Sequence, residues 1–78
     1  MAATKDQRKL LNKCVESEIP VFVLTGTDAC AMTALMAYAA QARAIGCSTE
    51  FIKDLETNVI PDFRDFQRQE SEKVKKPD

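Results

Sequence analysis

Residues 20–46 read PVFVLTGTDACAMTALMAYAAQARAIG, and this run decides the fold. Its first part, Val21-Phe22-Val23-Leu24, is β-branched and aromatic, with Pro20 before it and Thr25-Gly26-Thr27 after it. That composition and punctuation predict a short strand or extended segment. It is apolar on both faces, as buried strands are. No second strand signal occurs, so its N–H and C=O groups have no ladder partner in the same chain. Either it pairs with a copy of itself, or it is an extended linker. From Asp28 the pattern changes. Eight of residues 29–44 are Ala, which favours helix strongly. Thr27 or Asp28 suits the N-cap, and Gly46 stands where a C′ glycine belongs. Met32, Leu35, Met36 and Ile45 mark the main stripe. Ala31, Ala34, Ala37, Ala40 and Ala44 extend the apolar surface around the cylinder. A helix apolar nearly all round is expected to be buried on several sides. One small chain has little to cover it with, which argues for self-association.

Working outward, residues 19–49 carry only Asp28 and Arg43 as charges, while 4–18 carry seven and 50–78 carry fourteen. The middle is therefore read as core and the flanks as its solvated cover. A first helix is predicted from about Lys5 to Ser17. Thr4 and Gln7 resemble a capping box, and Leu10, Leu11, Cys14 and Val15 share one face. Pro20 ends this segment by pushing Ile19 toward extended backbone. A third helix is predicted from Ser48 or Thr49 as N-cap. Ile52, Leu55, Val59, Phe63 and Phe66 recur at steps of three and four, with Phe51 and Ile60 widening the stripe. Pro61 interrupts it, so that helix is kinked or split there. The expected fold is mainly α: three helices, with one short strand or extended segment between helices one and two. Residues 1–71 form a single small domain. Residues 72–78 are a charged tail with Val74 as its one large apolar group, expected to be disordered.

A 78-residue chain hides only about 60% of its unfolded surface, which is marginal for a lone monomer. A net charge of −1 gives no global pull toward nucleic acid. The chain has no His, which removes the commonest general base and metal ligand. Cys14, Cys30 and Cys47 are odd in number and widely spaced, which fits a reducing cytoplasm and no disulfide framework. With Cys30 and Cys47 bracketing one helix, about 25 Å separates them, too far to share one zinc. Residues 1–9 show no secretory h-region, and the most apolar stretch is too broken for a membrane span.

Several constellations have an ordinary structural explanation. Thr25-Gly26-Thr27-Asp28 before a helix suggests an anion site, but Asp28 is negative and no phosphate-binding Lys follows. The turn reads as a helix cap. Cys30 reads as a buried, inert thiol without a base, and Cys14 and Cys47 as packing. Arg43 complements the helix dipole. Asp54 and Asp65 are three turns apart, too far to act on one bond. Lys5, Arg8, Lys9 and Lys13 are diluted by neighbouring acids, and Lys73, Lys75 and Lys76 read as a solubilising tail. No catalytic, metal or cofactor site is expected.

The pattern Pro20-x-Phe22-x-Leu24-x-Gly26-x-Asp28-x-x-Ala31, followed by Gly46-Cys47 and an aromatic-rich helix, resembles a loose group of small uncharacterised bacterial and phage-associated proteins. The resemblance spans roughly residues 19–67. It implies that these elements form one unit, and it fits a protein carried on a mobile element. The order strand, helix, Gly turn, helix is also similar to ribbon-helix-helix repressors, which pair strands across a dimer and lay them in DNA. Here that strand offers Val21, Phe22, Val23 and Leu24 and no Arg, Lys, Asn or Gln for base edges. The expected function is a small non-enzymatic interaction or structural module acting as a homodimer, with another protein as partner and no membrane. A dimeric nucleic-acid-binding regulator is the alternative. The expected interface is Val21, Phe22, Val23, Leu24, Met32, Leu35, Met36 and Ala39.

Overall fold

Gly46 ends the Ala-rich helix as its position predicts. In the computed structural model, which describes residues 6–77, Gly46 adopts φ +78°. Its N–H donates to the Arg43 carbonyl and the Cys47 N–H to the Ala42 carbonyl, so two otherwise orphaned carbonyls are satisfied. The chain is mainly helical. Helix α1 spans Gln7–Glu16 and α2 spans Ala31–Ala44. Helix α3 is joined from Thr49–Asp54, a π-turn at Leu55–Val59 and Ile60–Gln69. A 3₁₀ turn follows at Ser71–Lys73. Thr4 of the expected capping box lies outside the described residues.

Helix α1 closes as α2 does, but with a costlier residue. The Glu18 N–H donates to the Val15 carbonyl and the Ile19 N–H to the Cys14 carbonyl, with Glu18 at φ +57°. A side chain in this left-handed conformation is strained where glycine is not. Ser48 caps α3 as expected, its hydroxyl accepting from the Phe51 N–H at 3.2 Å. The start of α2 differs from the expectation. Asp28 stands two positions before the N-cap, Cys30: its Oδ1 accepts from the Cys30 N–H at 2.7 Å, and the helix begins at Ala31.

The π-turn explains how α3 tolerates Pro61. Proline has no N–H for the Thr57 carbonyl, and its ring crowds the preceding turn. Just before it, the Ile60 N–H reaches back to the Leu55 carbonyl and widens that turn. The backbone stays helical, with Ile60 at φ −62° and ψ −46°, so the apolar register carries on. Leu55, Val59 and Ile60 are buried there against Ala39, with Met32, Leu35 and Phe63 packed around them.

Packing within the chain covers the apolar faces only in part. Helix α2 buries one side only, through Ala31, Ala39 and Ala42. Met36, Tyr38 and Ile45 stay exposed, because α3 is the one helix packed closely along it. The apolar face of α1 is likewise open: Leu10, Leu11 and Val15 are exposed, and Cys14 is half-buried. Residues 20–24 form an irregular connection and join no strand ladder among the described residues. Beyond α3, the Lys75 N–H donates to the Thr27 carbonyl and the Ala29 N–H to the Lys75 carbonyl, so the charged segment bridges in parallel to Asp28 in the turn before α2.

Candidate functional site: an unpaired apolar segment

The segment 21–24 hangs between two anchored ends. At its N-terminal end is the α1 cap. At its C-terminal end, the turn 25–29 is fastened to α3. Gln67 Nε2 donates to the Gly26 carbonyl at 3.1 Å and to the Asp28 carbonyl at 2.9 Å. Gly26 sits so close to Phe66 that a Cβ there would lie 2.9 Å from Cδ1 of the ring. Thr25 and Thr27 share a hydroxyl–hydroxyl hydrogen bond of 2.9 Å. The turn is therefore rigidly placed, and it holds Leu24 half-buried at the body's edge.

Between these anchors, none of the N–H or C=O groups of Val21, Phe22, Val23 and Leu24 has a hydrogen-bond partner among the described residues. Their side chains are also largely uncovered. Phe22 is 85% exposed, Val23 61% and Val21 45%. An open cleft of about 670 Å³ runs beside them, between α1 and the core, with Leu10, Leu11, Cys14, Leu35, Val59 and Phe63 among its walls. A smaller cleft of about 290 Å³ lies between Phe22 and Val23 on one side and Lys75, Lys76 and Pro77 on the other.

The eight residues expected at an interface divide by helical phase. Val21, Phe22, Val23 and Met36 are exposed, and Leu24 is half-buried. Ala39 is buried in the chain's own core, and Met32 and Leu35 pack against that core. A separate apolar patch comprises Tyr38, Ile45 and Phe51. The rings of Tyr38 and Phe51 lie 6.2 Å apart at an interplanar angle of 59°. Single-helix periodicity places Tyr38 and Phe51 on their own helices but says nothing of their meeting.

Two polar contacts were equally hidden. Gln67 carried no signal beyond a polar position near the end of a helix. Arg43, read as a dipole partner, forms a two-pronged ion pair with Glu56: Nε donates to Oε2 at 3.0 Å and Nη2 to Oε1. Cys30, expected to be buried, is exposed, because α2 starts after it rather than around it. Asp54 accepts from Asn58 Nδ2 at 2.7 Å. Among the described residues, no three His, Cys, Asp or Glu side chains gather as a metal site. No helix there is long and apolar enough to cross a membrane.

Compared with models of known families, with curated proteins and with solved structures, the chain matches none.

Proposed function

We propose that this chain is a small non-enzymatic protein-interaction or structural module that acts as a homo-oligomer. The observation that carries the reading is the surface left open. A compact chain of 8.7 kDa exposes about 4,700 Å². This one exposes 6242 Å². Its radius of gyration is 13.4 Å, against about 11.5 Å for a compact domain of this length. The core is correspondingly thin. Among the described residues six hydrophobic ones are buried, Ala31, Ala39, Ala42, Leu55, Val59 and Ile60, and half of these are Ala. Leu10, Val15, Phe22, Val23, Met36, Tyr38 and Ile45 are each more than half exposed, which leaves apolar surface for a partner to cover.

The Tyr38–Ile45–Phe51 patch supports a further protein partner, since none of these residues lines either cleft beside Phe22. Three free cysteines support a reducing compartment such as the cytoplasm. The test is solution mass by light scattering over a concentration series under reducing conditions. A species near twice 8.7 kDa or a larger multiple is expected. A monomer at every concentration refutes the reading.

A nucleic-acid-binding regulator is the second reading, favoured by Lys75 and Lys76 flanking Phe22 and Val23. It requires retention on DNA that falls steeply as salt rises. Absence of binding at low salt removes it.

A further inference from the structure

We infer that residues 74–77 are a releasable strap, which closes the outer edge of the turn 27–29, walls one flank of Phe22 and Val23, and uncovers both when it lifts. This stands apart from the homo-oligomer reading. The grip of the strap is backbone pairing at one residue. The Lys75 N–H donates to the Thr27 carbonyl at 3.0 Å, and the Lys75 carbonyl accepts from the Ala29 N–H at 2.9 Å, a parallel bridge opposite Asp28.

The turn does not need the strap to stay in place. Gln67, half-buried near the end of α3, already holds the Gly26 and Asp28 carbonyls, and Gly26 is seated against Phe66. What the strap adds lies on the outside. With it down, the Thr27 carbonyl and the Ala29 N–H are paired. Lys75, Lys76 and Pro77 then stand across a cleft of about 290 Å³ from Phe22 and Val23. With it lifted, that cleft loses a wall and the turn presents a bare backbone edge, the kind of edge that accepts another extended chain.

The construction suits release. Within 74–77 only Val74 is half-buried; Lys75, Lys76 and Pro77 are exposed, as are Thr27 and Ala29. Water can therefore replace both hydrogen bonds, and two such bonds favour closure by only about ten- to a hundredfold. Openings of that size are local and separate from global unfolding. The strap joins the body through the short 3₁₀ turn Ser71–Lys73, after α3 has ended at Glu70 with φ −118° and ψ 45°, so it can lift without unwinding α3.

The test is amide hydrogen exchange by NMR on the full chain. Lys75→Pro deletes the donor to Thr27. Val74 before it already has φ −84° and ψ 127°, the backbone that a residue preceding proline adopts. Lys75→Ala keeps the N–H and deletes only the charge. In the wild type the Ala29 amide should exchange at least about tenfold slower than an unstructured amide, yet faster than the amides of buried Ala39 and Ala42. Lys75→Pro should remove at least about fivefold of that protection and leave Ala39 and Ala42 unchanged, while Lys75→Ala should match the wild type. The Val23 methyl and Phe22 ring resonances should shift in Lys75→Pro relative to Lys75→Ala; if they stay fixed, the strap does not cover those residues. An unprotected Ala29 in the wild type overturns the strap, and protection that survives Lys75→Pro overturns the pairing. Equal protection at Ala29, Ala39 and Ala42, or its loss at all three in Lys75→Pro, makes the segment integral to the fold and overturns its release.

Discussion

The close approach of Gly26 to Phe66 permits a sharp prediction. The backbone at Gly26 is not left-handed, so the need for glycine there is one of space. A Cβ would sit 2.9, 3.3 and 3.4 Å from Cδ1, Cγ and Cε1 of the ring. Carbon atoms are at ease near 3.5–4.0 Å, so the first contact overlaps by about 0.6 Å or more. Relief requires the ring to move at Cγ, close to the helix backbone, as well as at its edge. It belongs to the helix whose next residue, Gln67, holds the carbonyls on either side of Thr27. Overpacking of this kind costs about 1–3 kcal/mol. In a domain of this size that lowers Tm by roughly 5–20 °C. Thermal unfolding of Gly26→Ala, followed by circular dichroism at fixed protein concentration, reads the loss directly. Fixed concentration matters because association shifts apparent stability. Phe66→Leu removes the ring atoms that clash. In that background, Gly26→Ala should cost under about 0.5 kcal/mol, a coupling typical of residues in contact. An equal loss in both backgrounds, or no loss in the wild type, refutes the argument that the ring dictates the glycine.

Gln67→Leu should lower stability by about 1–2 kcal/mol, because two part-buried carbonyls lose their shared donor; denaturant midpoints at constant m-value measure it. Glu18→Gly should raise stability by about 0.5–1 kcal/mol, since φ +57° is free of steric cost for glycine; an unchanged or lower Tm contradicts that account. The Arg43–Glu56 pair has side chains 59% and 34% exposed, so a double-mutant cycle with Ala should give a coupling below about 1 kcal/mol that shrinks at high salt.

Much of this protein was determined locally. The Ala content of 29–44, the left-handed glycine at 46, the Ser48 cap and the steps of Leu55, Val59 and Phe63 are short-range signals. They act through propensity, capping and periodicity, and α2 and α3 follow from them. Pro20 and the β-branched run likewise mark 20–24 as a non-helical link, since proline disfavours helical backbone in the residue before it and β-branched residues have lowered helix propensity. The charge blocks misplaced part of the core: Leu55, Val59 and Ile60 of the charge-rich flank are buried with Ala39, while Phe22, Val23, Met36 and Ile45 of the charge-poor middle are exposed.

What the sequence could not decide was which faces meet. Periodicity assigns residues to a stripe, but α2 has apolar groups on every side, and only packing against α3 selects Ala31, Ala39 and Ala42 for burial. The π-turn is a similar case. Proline announces a disturbance, and the Leu55–Val59 widening that absorbs it depends on keeping Leu55, Val59 and Ile60 in the core. Arg43 with Glu56, Gln67 with the turn at 26–28, and Lys75 with Thr27 and Ala29 join residues far apart in the chain. Each needs two elements to be placed before either partner can be named. The sequence set the helices and the non-helical link, because those are written in neighbouring residues. The tertiary structure alone left Phe22 and its unpaired backbone in the open, because that depends on what the rest of the chain fails to reach.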